Sequence, residues 1–130
     1  MQNDYDSSVK IERDQAYGRN AFTGYGEGYV EVNRTRYAAS LVVSAERLVA
    51  DWPPRSLEAL TAADIEALLA FKPEVVLLGT GATFRFPEPR ALAPLARAGV
   101  GLESMDTPAA CRTYNILLSE GRNVVAALIL

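Results

Sequence analysis

The stretch Glu74-Val75-Val76-Leu77-Leu78-Gly79 follows Pro73 as an almost unbroken β-branched and leucine run closed by glycine. A strand with polar residues on neither face must be covered on both, which is the position of a central strand in a parallel sheet. The pattern then repeats. Pro89 to Ala98 is an Ala- and Leu-rich helix stopped by Gly99, with Pro94 tolerable only near its first turn or at a kink. Val100 to Met105 is the next strand. Asp106-Thr107-Pro108 then supplies a capping side chain and a proline at the first helical position. The helix it opens runs to Glu120 before Gly121, and Val124 to Leu130 is the last strand. Strands separated in this way by helices form successive βαβ units, which call for a parallel sheet with right-handed crossovers.

Upstream the composition changes. Thr61, three residues before Asp64, predicts a capping box, and Ile65, Leu68 and Leu69 at helical spacing extend it to a helix over 62–71. Before Pro53-Pro54, Leu48 to Trp52 reads as a short strand. Val30 and Val32 alternate with Glu31 and Asn33, and Asn33-Arg34 joins Tyr29–Val32 to the run Thr35 to Val43 as a tight hairpin without the usual Asn-Gly pair. Residues 1–8 are polar and aperiodic and are expected to form a flexible terminus. The prediction is one α/β domain over 9–130, with an antiparallel N-terminal half that joins or packs on a parallel βαβαβ C-terminal half, giving a mixed sheet.

Composition sets the limits on function. The chain has 130 residues, 49% hydrophobic and 22% charged, and a formal net charge of -3. This suits a single globular domain and leaves no general basic field for nucleic acid. Arg85, Arg90, Arg97 and Arg112 alternate with Glu88, Glu103 and Asp106, as on a solvated mixed surface. The absence of histidine removes Ser-His-Asp and Cys-His catalysis and His-containing metal sites, so no metal and no cofactor is expected. The longest apolar run, Val124 to Leu130, falls far short of the roughly 20 residues that cross a bilayer, so no membrane insertion is expected. A single cysteine, Cys111, and an N-terminus without a secretory pattern place the expectation in the cytoplasm.

Ligands of open parallel sheets bind beyond the carboxyl ends of the strands. Two segments occupy that place, Gly79-Thr80-Gly81-Ala82-Thr83 and Asp106-Thr107-Pro108, and they should be neighbours. Gly79, Thr80, Gly81, Thr83, Asp106, Thr107 and Arg112 therefore form a candidate site for a small anionic ligand or a partner. Against this, the glycines alone would serve a sharp turn, and there is neither a dinucleotide fingerprint nor a P-loop lysine. Asp106 is either a general base or a helix cap, paired with Arg112 two turns on; capping is favoured because no second carboxylate lies nearby. Cys111 is either an activated thiol or a small buried side chain, and its alanine neighbours favour burial. Arg112-Thr113-Tyr114-Asn115 must present part of its length to water or to a polar partner. Phe84 and Phe86 either anchor a protein partner or cap the core.

Leu77-Leu78-Gly79-Thr80-Gly81, Phe86-Pro87, the segment Met105 to Asn115 and Val125-Ala126-Ala127-Leu128 together resemble the Mth-like domain family of uncharacterised proteins. The region from Gly24-Tyr25-Gly26 through Val32-Asn33 to Tyr37 fits as well. This is the family that includes the mitochondrial respiratory complex I assembly factor 3. The resemblance implies a three-layer α/β fold with a mixed sheet and, for the mitochondrial relatives, a non-enzymatic role in complex I assembly. It carries no catalytic residues over to this chain. The chain lacks the basic, Ser-rich transit segment of those relatives, which points to a bacterial cytoplasmic source.

Two functions follow as expectations. The first is a non-enzymatic binding or assembly factor with an unidentified protein partner. The second is a small-molecule or anion site, enzymatic or not, at the strand ends. An exposed sheet edge would also allow a homo-oligomer.

Overall fold

The computed structural model describes residues 9–10 and 18–130. The expected flexible terminus at 1–8 lies outside them. β7 (Val75–Gly79) is an interior strand of a five-stranded sheet, flanked in parallel by β8 (Gly101–Met105) and β9 (Val124–Leu128). On the far side of β9 the sheet continues antiparallel through β5 (Leu41–Val43) and β6 (Leu48–Val49), giving the order β6-β5-β9-β7-β8. The mixed sheet thus arises because the last strand enters between the two halves of the chain. A second, four-stranded antiparallel sheet takes β1 (Val9–Lys10), β2 (Phe22–Gly26), β3 (Tyr29–Val32) and β4 (Thr35–Tyr37) in that order.

The mixed sheet divides the core. Val76, Leu78, Val125 and Ala127 face α1 (Ala62–Glu66) and α2 (Pro89–Arg97), represented there by Ile65, Ala91 and Leu95. Leu77, Ala126 and Leu128 face α3 (Thr107–Ser119), where they meet Ala110, Cys111, Tyr114 and Leu118 together with Phe22, Val30 and Val32 of the small sheet. One layer is α1 and α2, the next is the mixed sheet, and the third is α3 with the small sheet beside it. β7 and β9 alternate between these two cores, which is why neither strand carries a polar side chain.

Several local expectations are corrected in detail. The run Thr35 to Val43 is not one strand. β4 pairs with β3, the chain crosses at Ala38-Ala39-Ser40, and β5 pairs with β9 in the other sheet. Burial shows the reason: Leu41, Val42 and Val43 are all buried in the main core, whereas Thr35 and Arg36 are exposed. The helix over 62–71 is α-helical only to Glu66 and tightens to a 3-10 turn over Ala67–Phe71, ending with Lys72 in the left-handed region at φ 51°. Pro73 next in line disfavours a helical Lys72, and the chain reverses without a glycine. Of Leu48 to Trp52 only Leu48–Val49 enters the ladder, and Trp52 turns its side chain into the core. Pro94 sits at the sixth position of α2, past the first turn, so the carbonyl of Arg90 loses its helical donor.

The predicted hairpin is present, with Asn33 at φ 49° and Arg34 at φ 71°. Positive φ at both central residues suits the twist of paired strands but strains an arginine. Side-chain bonds offset the strain. The Asn33 carboxamide oxygen accepts the N–H of Ala21 at 3.1 Å, and the Thr23 hydroxyl accepts the N–H of Arg34 at 2.9 Å.

Candidate functional site

β7 and β8 are neighbours whose following helices lie on opposite faces of the sheet, α2 on one and α3 on the other. Such a divergence opens a crevice at the carboxyl ends of the two strands, where the predicted loops sit. The loops do meet: the N–H of Gly81 donates to the Thr107 hydroxyl at 3.0 Å, and the N–H of Thr107 donates to the Gly81 carbonyl at 2.8 Å.

The polar groups of this crevice satisfy one another. The Thr107 hydroxyl, almost fully buried, donates to the carbonyl of Ile129 at 2.7 Å. The Thr80 hydroxyl, also buried, donates to the Thr83 carbonyl at 2.8 Å and accepts the N–H of Arg85 at 3.1 Å. Gly79 is needed for close approach: a β-carbon there would lie 2.7 Å from Thr107 Oγ1 and 2.8 Å from Leu128 Cδ2. Gly81, by contrast, faces open space and is needed for its φ of +111°. Asp106 caps α3, its Oδ1 accepting the N–H of Ala109 at 2.8 Å.

Gly79, Thr80, Gly81, Thr83, Asp106 and Thr107 are therefore brought together, while Arg112 is turned elsewhere. Its guanidinium donates to the Tyr25 hydroxyl at 2.6 Å. Six residues advance a helix by about 240°, so Asp106 and Arg112 do not share a face and the expected pairing between them is not made. Cys111 is buried against the mixed sheet, and desolvation, only partly opposed by the Arg112 charge, pushes its thiol up to about 12. The polar run Arg112 to Asn115 proves to be the docking strip for the small sheet. Tyr114 is fully buried, with its hydroxyl donating to the Asn20 carbonyl at 2.9 Å.

Phe84 and Phe86 do not cap the core. They are 45% and 85% exposed and meet edge to face, with ring centroids 4.7 Å apart. Between them Arg85 is ion-paired to Glu58. The loop is anchored at its base by Thr80, so both rings are held out on an ordered segment. A further feature escaped sequence reasoning. Glu31 is 5% exposed within β3 and accepts the Thr23 hydroxyl at 2.9 Å. Its place between two buried valines gives the alternation of a solvent-facing position, so periodicity carries no sign of its burial. Among the described residues, no three His, Cys, Asp or Glu side chains converge as metal ligands.

The fold and site define a class: a small three-layer α/β domain whose strand-end crevice is closed by its own threonines and which, among the described residues, holds two exposed phenylalanines on one loop. The chain belongs to the family described as protein of unknown function (DUF498/DUF598), which matches residues 22–129. It is similar to a Bordetella parapertussis crystal structure at 43% identity and TM-score 0.81, covering 86% of this chain and 96% of that one. It is likewise similar to a Bordetella pertussis Mth938-like domain solved in solution, at 37% identity and TM-score 0.76, with 93% and 92% covered. These likenesses bear out the Mth-like resemblance. Among named relatives, a 13 kDa major membrane protein of Francisella tularensis is 30% identical over 83% of this chain and 89% of that protein. The NADH dehydrogenase [ubiquinone] 1 alpha subcomplex assembly factor 3 of Bos taurus is 35% identical over 62% of this chain, and the match spans 45% of the bovine protein. No helix among the described residues is long and apolar enough to cross a membrane.

Proposed function

We propose that the domain is a non-enzymatic binding or assembly factor that engages a protein partner through the Phe84-Arg85-Phe86 loop. The observation that carries this reading is the exposure of two phenylalanines, 45% and 85%, on a loop whose base is fixed by the buried Thr80. Large apolar side chains held rigidly in water favour association, because their desolvation is gained with little ordering cost. The groups that catalysis would use are committed elsewhere: Asp106 to a helix cap and Cys111 to the core. By analogy with the assembly-factor relatives, the process served is the building of respiratory complex I. The cytoplasm is the compartment this reading assigns.

The test replaces the native gene by a Phe84→Ser, Phe86→Ser double variant and measures assembled complex I on native gels, with quantitative affinity capture of both forms. The reading expects the same proteins to be lost from the variant's capture and assembled complex I to fall. Unchanged capture and unchanged complex I would overturn it.

The alternative, a small-molecule or anion site at Thr80, Asp106 and Thr107, requires the mutual bonds of that crevice to open for a ligand. A metabolite that raises the melting temperature of the wild type but not of Thr80→Ala would favour it.

A further inference from the structure

β8 ends the mixed sheet, and among the described residues no strand pairs with its outer side. Gly101 donates its N–H to Glu74, and Met105 accepts the N–H of Thr80 through its carbonyl, so the odd-numbered residues of β8 serve β7. By the alternation of a parallel ladder, the N–H and C=O of Leu102 and Ser104 point away from the sheet. Between them the exposed Glu103 is the only charged side chain of the strand. It lies on the α3 side with Met105, while Leu102 lies on the α2 side.

We propose that the β8 edge takes up an extended segment of a partner protein as a further strand, with a lysine or arginine of that segment opposite Glu103. A second copy of this chain fits poorly. Antiparallel pairing about a twofold axis uses all the free groups only when Leu102 faces Ser104 of the other copy, and that register sets Glu103 against itself. Like charges directly opposite one another are destabilising. Centring the axis on Leu102 calls on the Val100 N–H, already given to Leu95 at 3.0 Å, and centring it on Ser104 calls on the Asp106 carbonyl, already given to Ala110 at 3.0 Å. The carboxylate that blocks self-pairing selects a basic residue in a foreign strand. This edge is separate from the aromatic loop, so the two surfaces can be tested independently.

The experiment titrates the isotope-labelled protein, at low ionic strength, with two end-capped peptides, Thr-Val-Lys-Val-Thr and Thr-Val-Glu-Val-Thr, following amide shifts and exchange by NMR. The lysine peptide is expected to shift and protect the Leu102 and Ser104 amides and to bind about tenfold more tightly than the glutamate peptide. Glu103→Lys should reverse the preference, and Phe84→Ser with Phe86→Ser should leave it intact. The proposal is overturned by equal affinity for the two peptides, by no binding at millimolar peptide, by shifts that bypass Leu102 and Ser104, or by wild-type dimers paired through β8.

Discussion

The side-chain amide of Asn115 closes a two-bond ring with the backbone of Phe22: its oxygen accepts the Phe22 N–H at 3.0 Å and its nitrogen donates to the Phe22 carbonyl at 2.8 Å. A helix side chain thus stands in for a neighbouring strand at the start of β2. Beside it Tyr114 reaches the Asn20 carbonyl, and its ring meets Phe22 edge to face at 5.1 Å. Together these contacts lock the small sheet to α3.

Asn115→Ala leaves both Phe22 backbone groups without this partner in a partly buried place. Stability is expected to fall by about 2–3 kcal/mol, since each unsatisfied buried group costs on the order of 1–3 kcal/mol. Urea denaturation checks the total, and faster hydrogen exchange at the Phe22 amide locates it.

Tyr114→Phe removes only the hydroxyl bond to Asn20 and should cost about 1–2 kcal/mol, whereas Tyr114→Ala also empties the contact with Phe22 and should cost about 3–5 kcal/mol. The difference between the two, measured by chemical denaturation, separates packing from hydrogen bonding.

The buried thiol of Cys111 makes stability depend on alkaline pH. Its pKa is raised from 9.0 to about 12 on folding, so above pH 9 the unfolded chain gives up the proton while the folded chain keeps it. Stability is therefore complete below pH 9 and falls as pH rises toward 12, at up to about 1.4 kcal/mol per pH unit. Burial raises Tyr114 as well, which steepens the fall above pH 10. Cys111→Ala should flatten the slope between pH 9 and 10, and the wild-type thiol should resist alkylation at pH 8 until the protein unfolds.

The two glycines of the strand-end loop should respond differently to alanine. Gly79→Ala forces a β-carbon against Thr107 and Leu128 and should cost about 1–3 kcal/mol through overpacking. Gly81→Ala meets no atoms, and its cost, also about 1–3 kcal/mol, comes from a backbone conformation that L-residues avoid. Thermal melts of the two variants check both losses.

Phe86→Ser should shift stability by no more than about 0.5 kcal/mol, because the ring is already 85% exposed in the free protein. A larger loss on denaturation would mean that the ring supports the fold and is not free to bind.

Sequence by itself determined the parallel half: the unbroken apolar runs of β7 and β9 announce strands covered on both faces, and Asp106 is the capping residue of α3 as its sequence suggests, with Pro108 one place further into the helix than the first position. These are readings of neighbours within a few positions, where periodicity and capping chemistry act. It also placed the loops of Thr80 and Thr107 side by side, because that follows from strand order at β7 and β8 alone. Only the tertiary structure decided that β9 lies between β5 and β7, that Thr35 to Val43 divides between two sheets, that Glu31 is buried, and that Asn115 serves Phe22. Each of these depends on which distant segments meet. Asn115 and Phe22 are 93 positions apart, and no local preference encodes a partner at that range. The same holds for the crevice: its glycines and threonines have the composition of a ligand loop, and packing against Thr107 and Ile129 turned them into bonds within the fold.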